Sequence, residues 1–336
     1  MPNLPCAELH LHIEGTLEPD LIFELAARNG IALPYPDAAA LADRYAFTNL
    51  QSFLDLYYAN MDVLRTADDF ADMTRAYLRR AAAAGVRHAE IMMDPQAHLA
   101  RGIALETCVC GVAAALATSE ADFGISTVLI AAFLRDRPAS EALGVLRDLI
   151  VMNAPIVGIG LDSAEVGYPP SLFAEVYDAA RAAGLKCIAH AGEEGPPAYV
   201  WEALDILRVD RLDHGIRCLE DEALVERLVA DRNPLTVCPL SNVRLRAVDT
   251  IGDHPLPEML ARGLNVSVNS DDPAYFGGYV DDNVAALQEA FGLGADDLAT
   301  LAANSFRSAF LDEGRRAVLL GEVEAWRTAL QAPGTR

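Results

Sequence analysis

Lysine is almost missing from this chain of 336 residues: Lys186 is the only one among twenty-six basic side chains, and the rest are arginine. The bias needs no functional cause, but it leaves a single candidate for any role that requires a lysine amine. Basic residues are scarce overall, twenty-six against forty-nine acidic ones for a net charge of −23, a balance that repels polynucleotide phosphate and anionic lipid and disfavours partners of either kind. Long apolar runs are also absent. The longest uncharged stretches, such as residues 149–161, reach thirteen residues, where a membrane-spanning helix needs about twenty. The opening MPNLPCAELH has no basic segment leading into an apolar one, so no export signal is expected and the chain reads as soluble and cytoplasmic. Six cysteines (Cys6, Cys108, Cys110, Cys187, Cys218, Cys238) in a chain this long fit a reducing compartment better than a disulfide framework. Cys108 and Cys110, one residue apart in an Ala-rich helical stretch, read as packing. No internal repeat, low-complexity tract or Gly/Ser linker divides the sequence, and residues 1–336 read as one domain.

What is present is regular alternation. Short β-branched or apolar runs lie at about 7–13, 87–93, 125–132, 155–161, 186–190, 210–214, 234–238 and 264–269, and helical patterns separate nearly all of them. That alternation predicts a parallel sheet. Eight strands are the number that closes a (β/α)8 TIM barrel, whose chemistry sits at the carboxyl ends of the strands. Residues 15–85 exceed a single crossover and predict a helical lid after strand one, with Phe53, Leu54 and Tyr57 on an apolar stripe within 50–65. Residues 283–330 predict carboxyl-terminal helices against the barrel wall.

The first strand reads Glu8-Leu-His10-Leu-His12-Ile-Glu14-Gly15. Alternation puts His10, His12 and Glu14 on one face and Leu9, Leu11 and Ile13 on the other. Inward imidazoles in a closed barrel are costly unless paired, which favours a ligand role. Strand five ends at His190 before Ala-Gly-Glu193-Glu194-Gly, strand six at Asp213-His214-Gly, and strand eight at Asn269-Ser270-Asp271-Asp272-Pro. Four histidines and a paired carboxylate therefore meet on one rim. Three imidazoles and an aspartate match one catalytic zinc, or a similar borderline metal, with a position open for water. Lys186 lies four residues before His190, about 13 Å back along the strand at about 3.3 Å per residue, which disfavours a lysine-bridged pair of metals. His88, His98 and His254 read as satisfied surface or supporting groups, and Ser241 and Asn242 stay open as groups that could orient others.

HLHIEG, HAGEEG, LDHG and NSDDP, in this order over residues 7–310, resemble the adenosine/adenine deaminase branch of the amidohydrolases. The other zinc deaminase plan, with a P-C-x-x-C pair, is absent. HIEGTLEP, DPQ at 94–96, GLDSAEVG at 160–167 and LSNVRL at 240–245 resemble microbial adenine deaminases more than adenosine deaminases. The resemblance implies His10, His12, His190 and Asp271 as ligands of one zinc per chain, Glu193 as proton donor to purine N1, His214 as the group that orients or deprotonates the attacking water, and Asp272 as the partner of N7. It also implies Gly160, Glu14 and Glu165 as substrate contacts. The glutamate at 165 replaces a glycine of the nucleoside enzymes and would accept near N3 and N9, favouring a base over a nucleoside. Asp271 and Asp272 must diverge through a kink, and the like charge of Asp271 favours a protonated Asp272. The implied reaction is hydrolytic deamination of a purine base, adenine first. N6-substituted adenine ranks second, if Met92 or Met93 lines a roomier pocket, and adenosine third. A non-catalytic metal-binding paralogue fits less well, since every ligand and the proton donor are present. The partner expected is a small purine, with room left for a homo-oligomer.

Overall fold

The computed structural model describes residues 3–47 and 50–331. Eight parallel strands, β1 (Cys6–His12), β2 (Val86–Met93), β3 (Ser126–Leu134), β4 (Ile156–Asp162), β5 (Lys186–Ala191), β6 (Arg211–His214), β7 (Pro234–Val237) and β8 (Asn265–Val268), neighbour one another in chain order. Leu11 bridges Asp271 to bring the last strand against the first. There the His12 N–H donates to the Asp271 carbonyl and the Asp271 N–H to the His10 carbonyl, each at 3.1 Å. With helices around the outside, this is the (β/α)8 barrel that the alternation predicts.

Strand parity sorts the apolar side chains into two populations. Leu9, Leu11, Ala89, Ile91 and Met93 face outward into the large core beneath the helices, while Met92, Ile130, Ala132 and Ile188 form a small separate cluster inside the barrel. Beside this plug lies a buried ion pair. The Arg211 guanidinium donates to Glu90 Oε2 at 2.7 Å and to the Leu9 carbonyl at 3.0 Å, and His88 stands 3.3 Å from Glu90 Oε1. Burial alone would raise the Glu90 carboxyl, but Arg211 and His88 hold it below its ordinary value. Lys186 opens β5 half exposed, 2.8 Å from Asp210, far from any role as a metal bridge.

The segment between β1 and β2 supplies helices Pro19–Asn29, Ala38–Ala42, Leu50–Asn60 and Ala67–Ala84. Phe53, Leu54 and Tyr57 are buried and line the cavity at the barrel mouth. Aromatic contacts fasten this covering to the loop after β8, with Phe53 4.6 Å from Phe276 and Tyr45 stacked 4.7 Å from Tyr275, centroid to centroid. After β8 come helices Val280–Phe291, Ala295–Ser308 and Glu313–Gln331; the Ser305 hydroxyl accepts from the Ala7 N–H at 2.8 Å. Among the described residues no helix is long and apolar enough to cross a membrane. All six cysteines are free; Cys108 is buried, but Cys110 on the same helix is exposed, so the packing reading holds for Cys108 alone.

Arg211→Met leaves the buried Glu90 carboxylate without its partner. The variant is expected to lose about 3–5 kcal/mol of unfolding free energy, measured by chemical denaturation. A loss under about 1 kcal/mol would mean the ion pair is dispensable.

Candidate active site

The carboxyl ends of β1, β5, β6 and β8 bring four imidazoles and a carboxylate to one place. His10 Nε2 and His12 Nε2 lie 3.4 and 3.5 Å from Asp271 Oδ1, and His12 Nε2 lies 3.3 Å from His190 Nε2. A tetrahedral cation bonded at about 2.05 Å holds its donor atoms about 3.3 Å apart, so these separations suit a small metal ion. His10 Nε2 is buried with no hydrogen-bond partner, as expected of a lone pair reserved for a metal. His10, His190, His214 and Asp271 could hold an ion between them, and so could His12, Asp94 and Asp162; His12 belongs to both surroundings because its two ring nitrogens face opposite ways. His214 stands at the margin, with Nε2 3.8 Å from Asp271 Oδ2 and 3.4 Å from Glu193 Oε2.

Behind the imidazoles of His10, His12 and His190 stand carboxylates. Asp213 Oδ1 lies 3.8 Å from His10 Nδ1 and Asp213 Oδ2 lies 3.5 Å from His190 Nδ1, while the Thr236 hydroxyl donates to Asp213 at 2.7 Å. Asp162 lies 3.4 Å and Asp94 3.7 Å from His12 Nδ1. Such outer carboxylates fix the ring orientation and make the inward nitrogen a better ligand. Ser241 donates to Asp271 Oδ2 at 2.6 Å. Asn242 reaches His214 Nδ1 at 3.3 Å and Glu193 Oε1 at 3.5 Å, and His254 holds Asn242 from behind at 3.2 Å.

The divergence of Asp271 from Asp272 is achieved by backbone conformation. Asp271 has φ +66°, His214 +60° and Ser163 +70°, all left-handed conformations that an ordinary residue adopts only when its surroundings impose them. Asp271 thus turns toward the imidazoles, and Asp272 leads into the helix Pro273–Phe276. Gly15 lets the chain pass: a Cβ there would fall 2.0 Å from Asp272 Oδ1 and 2.6 Å from its Cα.

The environments separate the acids from one another. Burial, then repulsion from Asp271, Glu165 and Glu194, raises Glu193 well above the usual range, and burial with repulsion from Asp271 does the same to Asp272. Burial alone would also raise Asp271, but the facing imidazoles of His10, His214 and His12 hold it well below. Burial and the charge of His10 push His214 down to about 3, leaving a neutral ring. These groups share a cavity whose wall includes Phe53, Leu54, Tyr57, Tyr58, Asp94 and Asp162.

Three residues expected to contact substrate do not line this cavity. Glu165, expected at the N3/N9 edge, spends its carboxylate on the loop after β5: Oε1 accepts from the Gly192 N–H at 2.7 Å, and Oε2 from Glu193, Glu194 and Gly195 at 3.0, 2.8 and 2.7 Å. Glycine is needed at 195, where a Cβ would meet Glu165 Oε1 at 2.6 Å. Glu14 follows the end of β1 in a single 3-10 turn (Ile13–Thr16), so strand alternation no longer directs it; its Oε1 accepts from the Asp94 N–H at 3.1 Å and pairs with His98 Nε2 at 2.7 Å. Gly160 sits one layer below the cavity, where a Cβ would be 3.5 Å from the Met92 sulfur. Met92 faces the barrel interior and Met93 the outer core, and neither lines the cavity. Asp94, Asp162 and Asp213 do contribute, although motif reading assigned none of them a role at the metal group. Their shared signal is an aspartate at a strand end, two residues beyond an inward position in the first two cases.

A (β/α)8 barrel whose strand ends gather imidazoles and aspartate around one point is the architecture of a metal-dependent hydrolase. The model of the adenosine deaminase family matches residues 5–326, and the chain belongs to that family. An adenine deaminase of Streptomyces coelicolor is 62% identical over 326 residues, 96% of each chain. The crystal structure of adenine deaminase from Arthrobacter aurescens superposes with TM-score 0.96 at 69% identity, covering 97% of this chain and 99% of that one. A Zn-bound amidohydrolase from Burkholderia ambifaria matches with TM-score 0.89 at 30% identity, over 98% and 92% of the two chains.

Glu165→Gln presents an amide N–H2 to donors that need an acceptor. It is expected to lower kcat at least about tenfold through a misplaced Glu193, with metal content unchanged by elemental analysis. Wild-type kcat would show that the loop holds its shape without the clamp.

Proposed function

We propose that the protein deaminates a free purine base hydrolytically, adenine first, yielding hypoxanthine and ammonia with one zinc per chain held by His10, His12, His190 and Asp271. The observation that carries this reading is the placement of two buried acids, Glu193 and Asp272, both held above their usual range beside the low-lying Asp271, around that ligand set in one cavity. Zinc there supplies Lewis acidity that brings a water's pKa near neutrality. The relatives named adenine deaminase support the choice of a base over a nucleoside.

The protein's own groups divide the proton traffic. Neutral His214 takes a proton from the attacking water as its oxygen bonds to C6. Glu193, kept protonated by burial and by Asp271, gives its proton to N1, which receives the electron pair of the C6–N1 double bond. Asp272, protonated for the same physical reason, donates to N7. The C6–N6 bond then breaks: the amine leaves as ammonia with the proton carried by His214, the hydroxyl on C6 returns its proton to Glu193, and C6 becomes the carbonyl of hypoxanthine. Phe53, Leu54 and Tyr57 keep bulk water away from these transfers. Preference for bulky N6 substituents loses its basis, because Met92 lies below the cavity.

Ammonia release from adenine, N6-methyladenine and adenosine tests the reading: adenine is expected to have the highest kcat/KM. Glu193→Gln should lower kcat on adenine by about 10² or more with zinc retained. Adenosine turned over as well as adenine, or an active Glu193→Gln enzyme, would overturn it.

A further inference from the structure

We infer that Asp94 and Asp162 form a subsite that accepts the N9–H of a free purine base and thereby excludes bases substituted at N9. The inference rests on the purine-base reading above and adds the atom by which the base is chosen.

Asp162 closes β4, and Asp94 follows β2 as the cap of the helix Pro95–Ala100. Each is 3% exposed, and both line the cavity. Asp94 Oδ1 and both carboxylate oxygens of Asp162 are buried without a hydrogen-bond partner. Among the described residues no arginine or lysine lines the cavity to answer them; His12 Nδ1 stands 3.7 and 3.4 Å from them. Burial raises both carboxyl groups well above the usual range, yet these oxygens remain without a hydrogen-bond partner at a cost in free energy, so the wall suits an occupant that brings an N–H donor.

Position identifies the donor. His12 turns Nε2 to the metal ligands and Nδ1 to this pair, which puts Asp94 and Asp162 one imidazole width along the wall from the reacting centre. The Asp94 N–H donates to Glu14 at 3.1 Å and the next residue, Gly15, packs against Asp272, whereas Glu193 stands beside His214 and Asn242. The pair therefore stands on the Asp272 side. With C6 at the metal ligands, N1 on Glu193 and N7 on Asp272, the five-membered ring runs from Asp272 toward Asp94. Its remaining polar atom is N9, a donor in the free base and a position with no proton to give once a sugar or methyl group is attached. A substituent there meets two buried carboxylates.

The test compares adenine with 9-methyladenine in wild type, Asp94→Asn and Asp94→Ala, with zinc content measured for each. Wild type is expected to favour adenine by about 10³ in kcat/KM, short of the roughly 10⁴–10⁵ that unpaired buried groups can reach. Asp94→Ala, which removes an acceptor and opens room, should narrow that ratio at least tenfold; Asp94→Asn, which keeps the shape, should narrow it less. A ratio unchanged in both variants while the two rates fall together would overturn the subsite and leave Asp94 as a support of His12. Asp162→Ala serves if neither variant folds, and equal wild-type efficiencies overturn the inference without any variant. If wild type turns over no adenine, the purine-base reading fails and the subsite fails with it.

Discussion

Lone pairs aimed at a single point need a cation among them, and the barrel rim is arranged around that need. His10 Nε2, His12 Nε2, His190 Nε2 and Asp271 Oδ1 converge with neighbouring separations of 3.3–3.5 Å, an arrangement that buried acceptors could not hold against one another for packing reasons alone. The closure of the barrel serves it directly. The two hydrogen bonds between Asp271 and β1 fix the carboxylate relative to His10 and His12, and the left-handed turn at Asp271 is the strain accepted to aim it.

Around this point the same residue types do different work because their surroundings differ. Asp271 faces imidazoles that hold its carboxyl well below the usual range; Asp272, next in sequence, is buried beside that charge and held well above it. Asp213 and Asp162 stand behind the rings and orient them. Glu165, though buried close by, is fully engaged by four backbone N–H groups and shapes the loop that presents Glu193. Environments that push neighbouring carboxyl groups apart are what allow one site to hold metal, donate a proton and recognise a base.

The fold was legible because strand-helix alternation is written in the spacing of apolar runs, and all eight strands fall where the pattern places them. The metal group was legible for the same reason: residues at strand carboxyl ends share a rim whatever the connecting helices do. Parity failed where a strand ended. Glu14 was expected on the face of His12, but β1 stops at His12 and the next turn swings Glu14 toward His98. Glu165 lies in a loop, and no local pattern tells which neighbouring loop a carboxylate will wrap. Asp213 adjoins His214 in sequence, but alternation sends the two side chains apart and Asp213 meets His10 and His190. Met92 and Met93 could be separated only by the register of β2 against its neighbours.

X-ray absorption at the zinc edge of the purified protein, with elemental analysis of the same sample, tests the central claim most directly. The account predicts one zinc per chain, bound by nitrogen and oxygen donors at about 2.0–2.2 Å with imidazole scattering and no sulfur, and loss of that signal in His190→Ala. Two zinc ions per chain, a sulfur shell, or an unchanged spectrum in His190→Ala would contradict it.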